Sequence, residues 1–286
     1  MAEVAGKLRL VLQHPGLAAS AVDAFAAGAG APPSLRESAL AIWEETVLDA
    51  AAVAALARRH RVDAALVPSQ TRLADYRLLA FDMDSTLITI ECVDEIAAFA
   101  GVKAEVSAIT EAAMRGEITD YDESLRRRVA LLAGLDVNLL EKVYRERLRL
   151  SPGALDLVRA AQRAGLKTML VSGGFTYFTD RLKSELGLDL TRSNSLEVEG
   201  GRLTGRLTGT IVNADGKAEA LLDACRQIGC DPTQSIAVGD GANDLKMLSL
   251  AGVSVAYHAK PIVMDQTDYA ISFCGLDAIL NLLRPD

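Results

Sequence analysis

The chain has 286 residues, half of them hydrophobic, and a formal net charge of −8. This length allows one large domain or two modest ones with a sizeable core. The negative charge and the lack of a basic block argue against a nucleic-acid partner. No apolar run approaches the roughly 18 residues that would indicate a membrane span.

The amino terminus and the cysteines indicate the compartment. The sequence begins "MAEVAGKLRL", without the basic start and apolar run of a secretory leader. The four cysteines form no CxxC pair and suggest neither a zinc site nor a disulfide framework. We therefore expect reduced thiols in a cytoplasmic protein.

Residues 1–74 are predicted to form a small N-terminal α/β domain. The segments "KLRLVL" and "VDAALV" are candidate strands, and Ala-rich helical stretches with the breaker cluster "AAGAGAPPS" separate them. No reactive side chains concentrate in this region. A regulatory or dimerising role is the hypothesis, with a homodimer formed through this domain as an open option.

From residue 77 onwards, short apolar strands alternate with amphipathic helices, a pattern typical of a parallel sheet covered on both faces. The predicted strands cover residues 77–82, 166–172, 234–240, 252–257 and 269–273. Three of them end in Asp82, Ser172 and Asp240. Open α/β sheets bind ligands beyond the carboxyl ends of their strands. We therefore expect a Rossmann-like α/β core, formed by residues 75–90 and 151–286, with its site at these residues.

Two insertions interrupt this core. Residues 91–150 are predicted to be helical, with one apolar stripe of Val93, Ile96, Ala97 and Ala100 and another of Leu125, Val129 and Leu132. The segment is far longer than a crossover requires, so we interpret it as a helical cap. Residues 196–212 alternate in polarity and contain Gly-Gly, which predicts a β-hairpin.

Asp82 and Asp84 are the first candidates for chemistry. In an extended segment their side chains share a face. They could act as a nucleophile and an acid/base, or form a turn that binds backbone donors. In "VSGGF", Ser172 and Gly173 follow a strand, and glycine lets the backbone approach an anion closely.

Two further motifs favour a site for a phosphate and a cation. "GDGANDL" places Asp240, Asn243 and Asp244 around a tight strand-to-helix turn. These residues could cap the helix, but such oxygen ligands suit Mg²⁺ better. Lys217, in "NADGKAEALL", begins a helix, although an isolated lysine is usually a solvated surface residue.

In the order DxDST, SGG, K and GDGxND, these motifs resemble the haloacid dehalogenase-like hydrolase superfamily, from about residue 77 to the end. The segments "ECVDEIA", "EAAMRGEI" and "SLRRRVALL" are similar to those of members that act on phosphorylated serine. The resemblance implies a Mg²⁺-dependent enzyme that hydrolyses O-phospho-L-serine in the last step of serine biosynthesis.

The resemblance also assigns roles at the reacting centre. Asp82 would attack phosphorus and become an aspartyl-phosphate, and Asp84 would protonate the leaving oxygen and then activate water. The metal ligands would be Asp82, the backbone carbonyl of Asp84, and Asp240, with Asp244 supporting them. We expect the cation and Lys217 to keep Asp82 ionised, and neighbouring negative charge to favour the protonated form of Asp84.

The same resemblance assigns the residues that bind substrate. Phosphate oxygens would be held by Ser172, Gly173, Lys217 and Asn243. Glu91 would bind the ammonium of the substrate and Arg128 its carboxylate, although an arginine near an apolar stripe could also be snorkelling. Met114 and Tyr121 would form apolar walls, with Tyr121 standing where a phenylalanine is typical. His258, after a late core strand, is predicted to be structural.

Two alternatives stay open at this point. One is a phosphatase or phosphotransferase for another small phosphomonoester, such as phosphohomoserine or a sugar phosphate. The other is a phospho-receiver signalling module, which also uses a strand-end aspartate, Mg²⁺ and a lysine. A receiver, however, needs neither Asp84 nor a helical cap.

Overall fold

A computed structural model describes residues 7–284, whose strands form two sheets. The first sheet has four strands, and two helices accompany it. These elements are β1 (Leu8–Gln13), α1 (Ala19–Ala29), β2 (Leu35–Arg36), β3 (Leu40–Trp43), α2 (Ala50–His60) and β4 (Asp63–Pro68). Both strands predicted in this region are present, while the short strands β2 and β3 were not predicted.

The first sheet has the strand order β2-β3-β1-β4, and β1 is antiparallel to both of its neighbours. This is the arrangement of a split βαβ unit. Alternate residues of β1 face opposite sides, so Leu10 and Leu12 pack with Phe25 and Trp43 in a separate small core. Val11 instead joins the main core of the chain.

The second sheet has seven strands in the order β11-β10-β9-β5-β6-β7-β8. Its strands are β5 (Leu78–Phe81), β6 (Lys167–Phe175), β7 (Leu190–Glu199), β8 (Arg202–Thr208), β9 (Ser235–Gly239), β10 (Val253–Tyr257) and β11 (Tyr269–Ile271). All neighbours from β11 to β7 pair in parallel. The predicted Rossmann-like parallel core is therefore confirmed, and all five predicted strands are present.

Helices cover both faces of this sheet, as its nearly continuous apolar strands require. They are α7 (Ala154–Arg163), α8 (Thr176–Leu186), α9 (Ala214–Ile228), α10 (Leu245–Leu248) and α11 (Pro261–Met264). On β5, Leu79 and Phe81 join one buried cluster, and Leu78 and Ala80 join the other. Each strand end is thus held between two apolar layers.

The predicted hairpin is present, but the prediction placed its first strand too late. Strand β7 begins at Leu190, and its first residues pair in parallel with β6. Its second half pairs with β8 in antiparallel fashion. The hairpin is therefore a continuation of the central sheet rather than a separate insertion. The prediction missed residues 190–195 because five of these six residues are polar.

The segment between β5 and β6 is helical, as predicted. It contains α3 (Cys92–Ala100), α4 (Lys103–Met114), α5 (Tyr121–Ala130) and α6 (Asn138–Glu146). The predicted stripe residues are buried, except Ala100, which is partly buried. Across residues 7–284, no helix has the length and apolar character needed to cross a membrane.

Candidate active site

A pocket of about 900 Å³ lies at the carboxyl ends of β5, β6 and β9. Asp82 follows β5 and Asp240 follows β9, and both line this pocket. Ser172 does not end its strand as predicted, because β6 continues to Phe175 through Gly173 and Gly174. The pairing of β6 with β7 shifts between Val171 and Phe175, which brings the glycine backbone into the pocket wall.

Lys217 connects two of the carboxylates. It lies in the first turn of α9, which Asn213 caps by accepting hydrogen bonds from the amides of Asp215 and Gly216. Its Nζ is 2.6 Å from Asp82 Oδ1 and 2.6 Å from Asp244 Oδ1. Only 1% of Lys217 is exposed, so the lysine is not a surface residue.

The pKa values in this cluster show an excess of negative charge. Burial would lower the pKa of Lys217, but Asp244 and Asp82 raise it above its usual value. Burial and the charge of Asp244 raise the pKa of Asp82, against the lowering effect of Lys217. The same two causes raise the pKa of Asp240 to about 6. One ammonium therefore does not balance three carboxylates.

The three carboxylates fit a hard cation. Oxygens of Asp82, Asp240 and Asp244 lie within 4.8 Å of one another. Both oxygens of Asp244 are already engaged, one by Lys217 and the other by the amide of Gly241 at 2.9 Å. Asp82 Oδ1 binds Lys217, and Asp240 Oδ1 accepts a 2.8 Å hydrogen bond from Thr86. Within residues 7–284, Oδ2 of Asp82 and Oδ2 of Asp240 accept no hydrogen bond from another residue, so these two oxygens suit a metal best.

Asp84 lies in a tight loop rather than in an extended strand. The amides of Leu87 and Ile88 bond back to the carbonyls of Asp82 and Met83, and Ser85 adopts the left-handed conformation at φ 57°. A non-glycine residue in this region is strained and is held by its surroundings. The loop brings the Asp84 carboxyl back into the pocket that contains Asp82.

The Asp84 carboxyl is held by backbone and hydroxyl donors. Its Oδ1 accepts a 2.9 Å hydrogen bond from the amide of Cys92, and Ser172 Oγ lies 3.4 Å from its Oδ2. A Cβ at Gly174 would come within 2.7 Å of that Oδ2, so a larger residue there would displace the Asp84 carboxyl. Burial is the main cause that raises the pKa of Asp84. The sequence prediction that the protonated form of Asp84 is favoured agrees with this direction, but its predicted cause, neighbouring negative charge, was wrong.

Glu91 and Arg128 line the same pocket. Glu91 Oε1 accepts a 2.6 Å hydrogen bond from Ser85 Oγ. Glu91 is exposed to solvent, yet desolvation and the charge of Asp84 raise its pKa to about 7. On α5, Arg127 pairs with Glu123, but within residues 7–284 no carboxylate lies within 4.0 Å of the Arg128 guanidinium. Arg128 is therefore available to bind an anion.

The other predicted substrate-binding residues are placed as follows. Tyr121 begins α5, and its hydroxyl lies so close to Gly173 that a Cβ there would be 2.1 Å away. This contact makes Tyr121 a polar as well as an apolar wall, which the sequence prediction did not include. Asn243 lines the pocket beside Gly241. Met114 ends α4, but its side chain lies outside the described residues.

Three residues near this site carried no assigned role in the sequence prediction. Thr86 orients Asp240, and Ser85 orients Glu91. Asn194, on β7, donates a 2.7 Å hydrogen bond to the carbonyl of Gly173 and accepts one from the amide of Val212. His258 was predicted to be structural, and it lines the pocket. Thr86 and Ser85 stand inside the DxDST motif, whereas nothing in the sequence distinguishes Asn194.

Comparison with known proteins agrees with this arrangement. Residues 79–249 match the family model described as haloacid dehalogenase-like hydrolase. A curated phosphoserine phosphatase from a Polaromonas species is 61% identical over 217 residues, which cover 74% of this chain and 92% of the relative.

Two solved structures are also similar. A hydrolase of the same family from Salmonella enterica serovar Typhi has a TM-score of 0.86 and 31% identity, covering 97% of this chain and 98% of that one. A phospho-aspartyl intermediate analogue of a phosphoserine phosphatase has a TM-score of 0.68 and 38% identity, covering 73% of this chain and 99% of that one.

Proposed function

The chain belongs to the haloacid dehalogenase-like hydrolases and, within them, to the phosphoserine phosphatases, and from this premise we propose that it hydrolyses O-phospho-L-serine to L-serine and phosphate. We further propose Mg²⁺ as its cofactor, an aspartyl-phosphate on Asp82 as its intermediate, and serine biosynthesis as its pathway. A cytoplasmic location and a homodimer formed through residues 1–74 stay predictions.

One observation carries the proposal. A single pocket contains the Asp82–Lys217 pair, the buried carboxyl of Asp84, and the side chains of Glu91 and Arg128. Phosphoserine carries a phosphate, an ammonium and a carboxylate. Each of these groups has a complementary partner in the pocket, which is why an amino-acid phosphate suits it better than a sugar phosphate.

In the first step, a carboxylate oxygen of Asp82 attacks phosphorus while Lys217 holds the carboxylate in place. A bond forms between the carboxylate oxygen and phosphorus as the bond from phosphorus to the seryl oxygen breaks. The Asp84 proton passes to the seryl oxygen, and L-serine leaves. Burial raises the pKa of Asp84, which favours the protonated carboxyl that this transfer requires.

In the second step, the Asp84 carboxylate takes a proton from a water molecule that attacks the phosphorus of the aspartyl-phosphate. The bond from phosphorus to Asp82 breaks, so phosphate leaves and both aspartates return to their starting states. Lys217, the Ser172 hydroxyl and the backbone of Gly173 stabilise the negative charge on the phosphoryl oxygens in both steps.

The acidic cluster requires further positive charge for this chemistry. Asp82 Oδ2 and Asp240 Oδ2 would hold Mg²⁺, with Asp244 fixing Lys217 beside them. When bound, the ion supplies charge that lets the phosphate dianion approach the carboxylates.

The segment 91–150 provides the recognition of the amino acid. Arg128, as a planar donor without an acidic partner among the described residues, binds the substrate carboxylate in bidentate fashion. Glu91 binds the ammonium, and Ser85 fixes its orientation. We propose that this segment acts as the cap over the phosphate site.

The test is release of phosphate from L-phosphoserine by the purified full-length chain, with Mg²⁺ and with EDTA. We expect continuous, Mg²⁺-dependent turnover and no turnover in Asp82→Asn. Phosphohomoserine and a sugar phosphate serve as comparison substrates, and faster turnover of either would reassign the substrate. A single burst of phosphate without further turnover would be the behaviour of a receiver module. Full activity in Asp82→Asn would refute the nucleophile.

A further inference from the structure

Asp63 is a buried carboxylate that belongs to the first sheet but binds the end of the second. It is the first residue of β4, and only 4% of it is exposed. Its Oδ1 accepts a 2.7 Å hydrogen bond from the amide of Ser272. Its Oδ2 accepts from the amides of Phe273 and Cys274, at 3.0 and 2.9 Å. Three charge-assisted hydrogen bonds fix the segment that follows β11.

The segment 272–274 in turn holds His258. The ring Nε2 of His258 is 3.0 Å from the carbonyl oxygen of Cys274. A carbonyl only accepts, so Nε2 carries the hydrogen and donates it. The amide of His258 also donates to the carbonyl of Ile271, at 2.7 Å. These two bonds support a left-handed backbone conformation at His258, with φ 47°. Such a conformation persists only where neighbouring contacts hold it.

His258 forms the start of one wall of the active-site pocket. The residues that follow it, Lys260, Ile262 and Val263, line the same pocket. A second contact joins the first sheet to the segment 272–274, since the ring of His14, which follows β1, lies 5.6 Å from the ring of Phe273. A continuous series of contacts therefore leads from the first sheet to the pocket.

We infer that Asp63 is a positioning residue through which the first sheet fixes the pocket wall at residues 258–263. Without its carboxylate, the amides of residues 272–274 lose their acceptor. The carbonyl of Cys274 then no longer holds His258, whose backbone relaxes from its left-handed conformation and moves the wall. The kinetic part of the test below rests on the proposed function, while its structural part does not.

The test uses Asp63→Asn in the full-length protein. An asparagine keeps the shape but loses the charge and one acceptor oxygen. We expect KM for phosphoserine to rise about 3- to 30-fold, with kcat within about twofold of the parent. The matched control is Gln13→Ala. It removes another contact between the first sheet and the rest of the chain, the 2.9 Å hydrogen bond from Asn281 Nδ2 to Gln13 Oε1. Asn281 does not line the pocket, so the KM of Gln13→Ala for phosphoserine should equal that of the parent.

A double-mutant cycle with His258→Ala separates positioning from a loss of stability. His258 is exposed, so this variant should fold, and it should raise KM by itself. In the His258→Ala background, Asp63→Asn should have no further effect on KM, because the two changes disturb one series of contacts. Independent, additive effects on KM would overturn the inference.

Amide hydrogen exchange provides a readout that does not need activity. Residues 258–264 should exchange faster in Asp63→Asn and in His258→Ala than in Gln13→Ala. Equal exchange in all three variants would overturn the inference, whatever the enzyme hydrolyses. Absence of phosphoserine turnover in the parent would instead refute the proposed function, and the exchange data would still decide the role of Asp63. If Asp63→Asn does not fold, His258→Ala alone must show both the KM change and the faster exchange.

Discussion

Replacing Lys217 by methionine tests the charge balance of the site most directly. Methionine has a similar length but leaves Asp82 and Asp244 without the ammonium that lies 2.6 Å from each. Removing one partner of a buried ion pair typically costs about 3–5 kcal/mol, because the remaining charge stays buried and uncompensated. We expect a loss of this size in the free energy of unfolding of the metal-free protein. Loss of a donor to the phosphoryl oxygens should also lower kcat by about 100- to 1,000-fold.

The matched control is Lys246→Met. Lys246 pairs with Asp215, but both side chains are more than half exposed. An exposed pair of this kind contributes about 0–1 kcal/mol. Urea titrations of both variants in EDTA give the two losses side by side. The double variant Lys217→Met/Asp244→Asn should recover part of the lost stability, since it removes one of the uncompensated charges. If Lys217→Met is no less stable than Lys246→Met, or if the double variant is less stable still, the argument for charge compensation fails.

Three further predictions concern the substrate end of the pocket. Arg128→Lys should lower kcat/KM for phosphoserine by about 10- to 100-fold, the equivalent of one charge-assisted hydrogen bond, with little change for phosphoethanolamine, which lacks the carboxylate. Arg127→Lys is the matched control, and equal losses for both esters would exclude the carboxylate clamp. The pKa of Glu91 is raised to about 7, so its carboxylate becomes neutral below pH 7, and the preference for phosphoserine over an analogue without the ammonium should decrease as pH falls. In Glu91→Gln this preference should be low and independent of pH. A pH profile in Glu91→Gln that equals that of the parent would contradict the assignment. Tyr121→Phe removes the hydroxyl beside Gly173 and should raise KM for phosphoserine by about 2- to 10-fold, within the usual value of one neutral hydrogen bond; a variant with parental KM would show that Tyr121 acts only as an apolar wall.

The parts of this fold that the sequence predicted are those with repeated local signals. Strand β5, "LLAF", is continuously apolar because both of its faces are covered, and the polar Asp82 directly after it is conspicuous. The helices of residues 91–150 were visible through their apolar stripes. Strand β2, which was not predicted, has only two residues, too few to show a period.

The parts that the sequence did not predict depend on contacts between distant segments. Asn194 meets Gly173 only because β7 lies beside β6 in the sheet. Asp63 meets Cys274, which stands 211 positions later in the chain, and no local pattern marks that pair. The predicted cause of the raised pKa of Asp84 was also wrong, because the burial of a loop residue depends on how the surrounding helices pack.

The separate origins of the two halves of the pocket have an evolutionary consequence. Asp82 and Asp240 follow strands of the parallel sheet and Lys217 lies in the first turn of α9, whereas Arg128 and Tyr121 stand on a helix inserted between β5 and β6. Changes in the inserted helices can therefore alter which substrate binds while the residues that cleave the phosphate ester stay unchanged. Proteins with this architecture can acquire new substrate specificities through substitutions confined to the segment between β5 and β6.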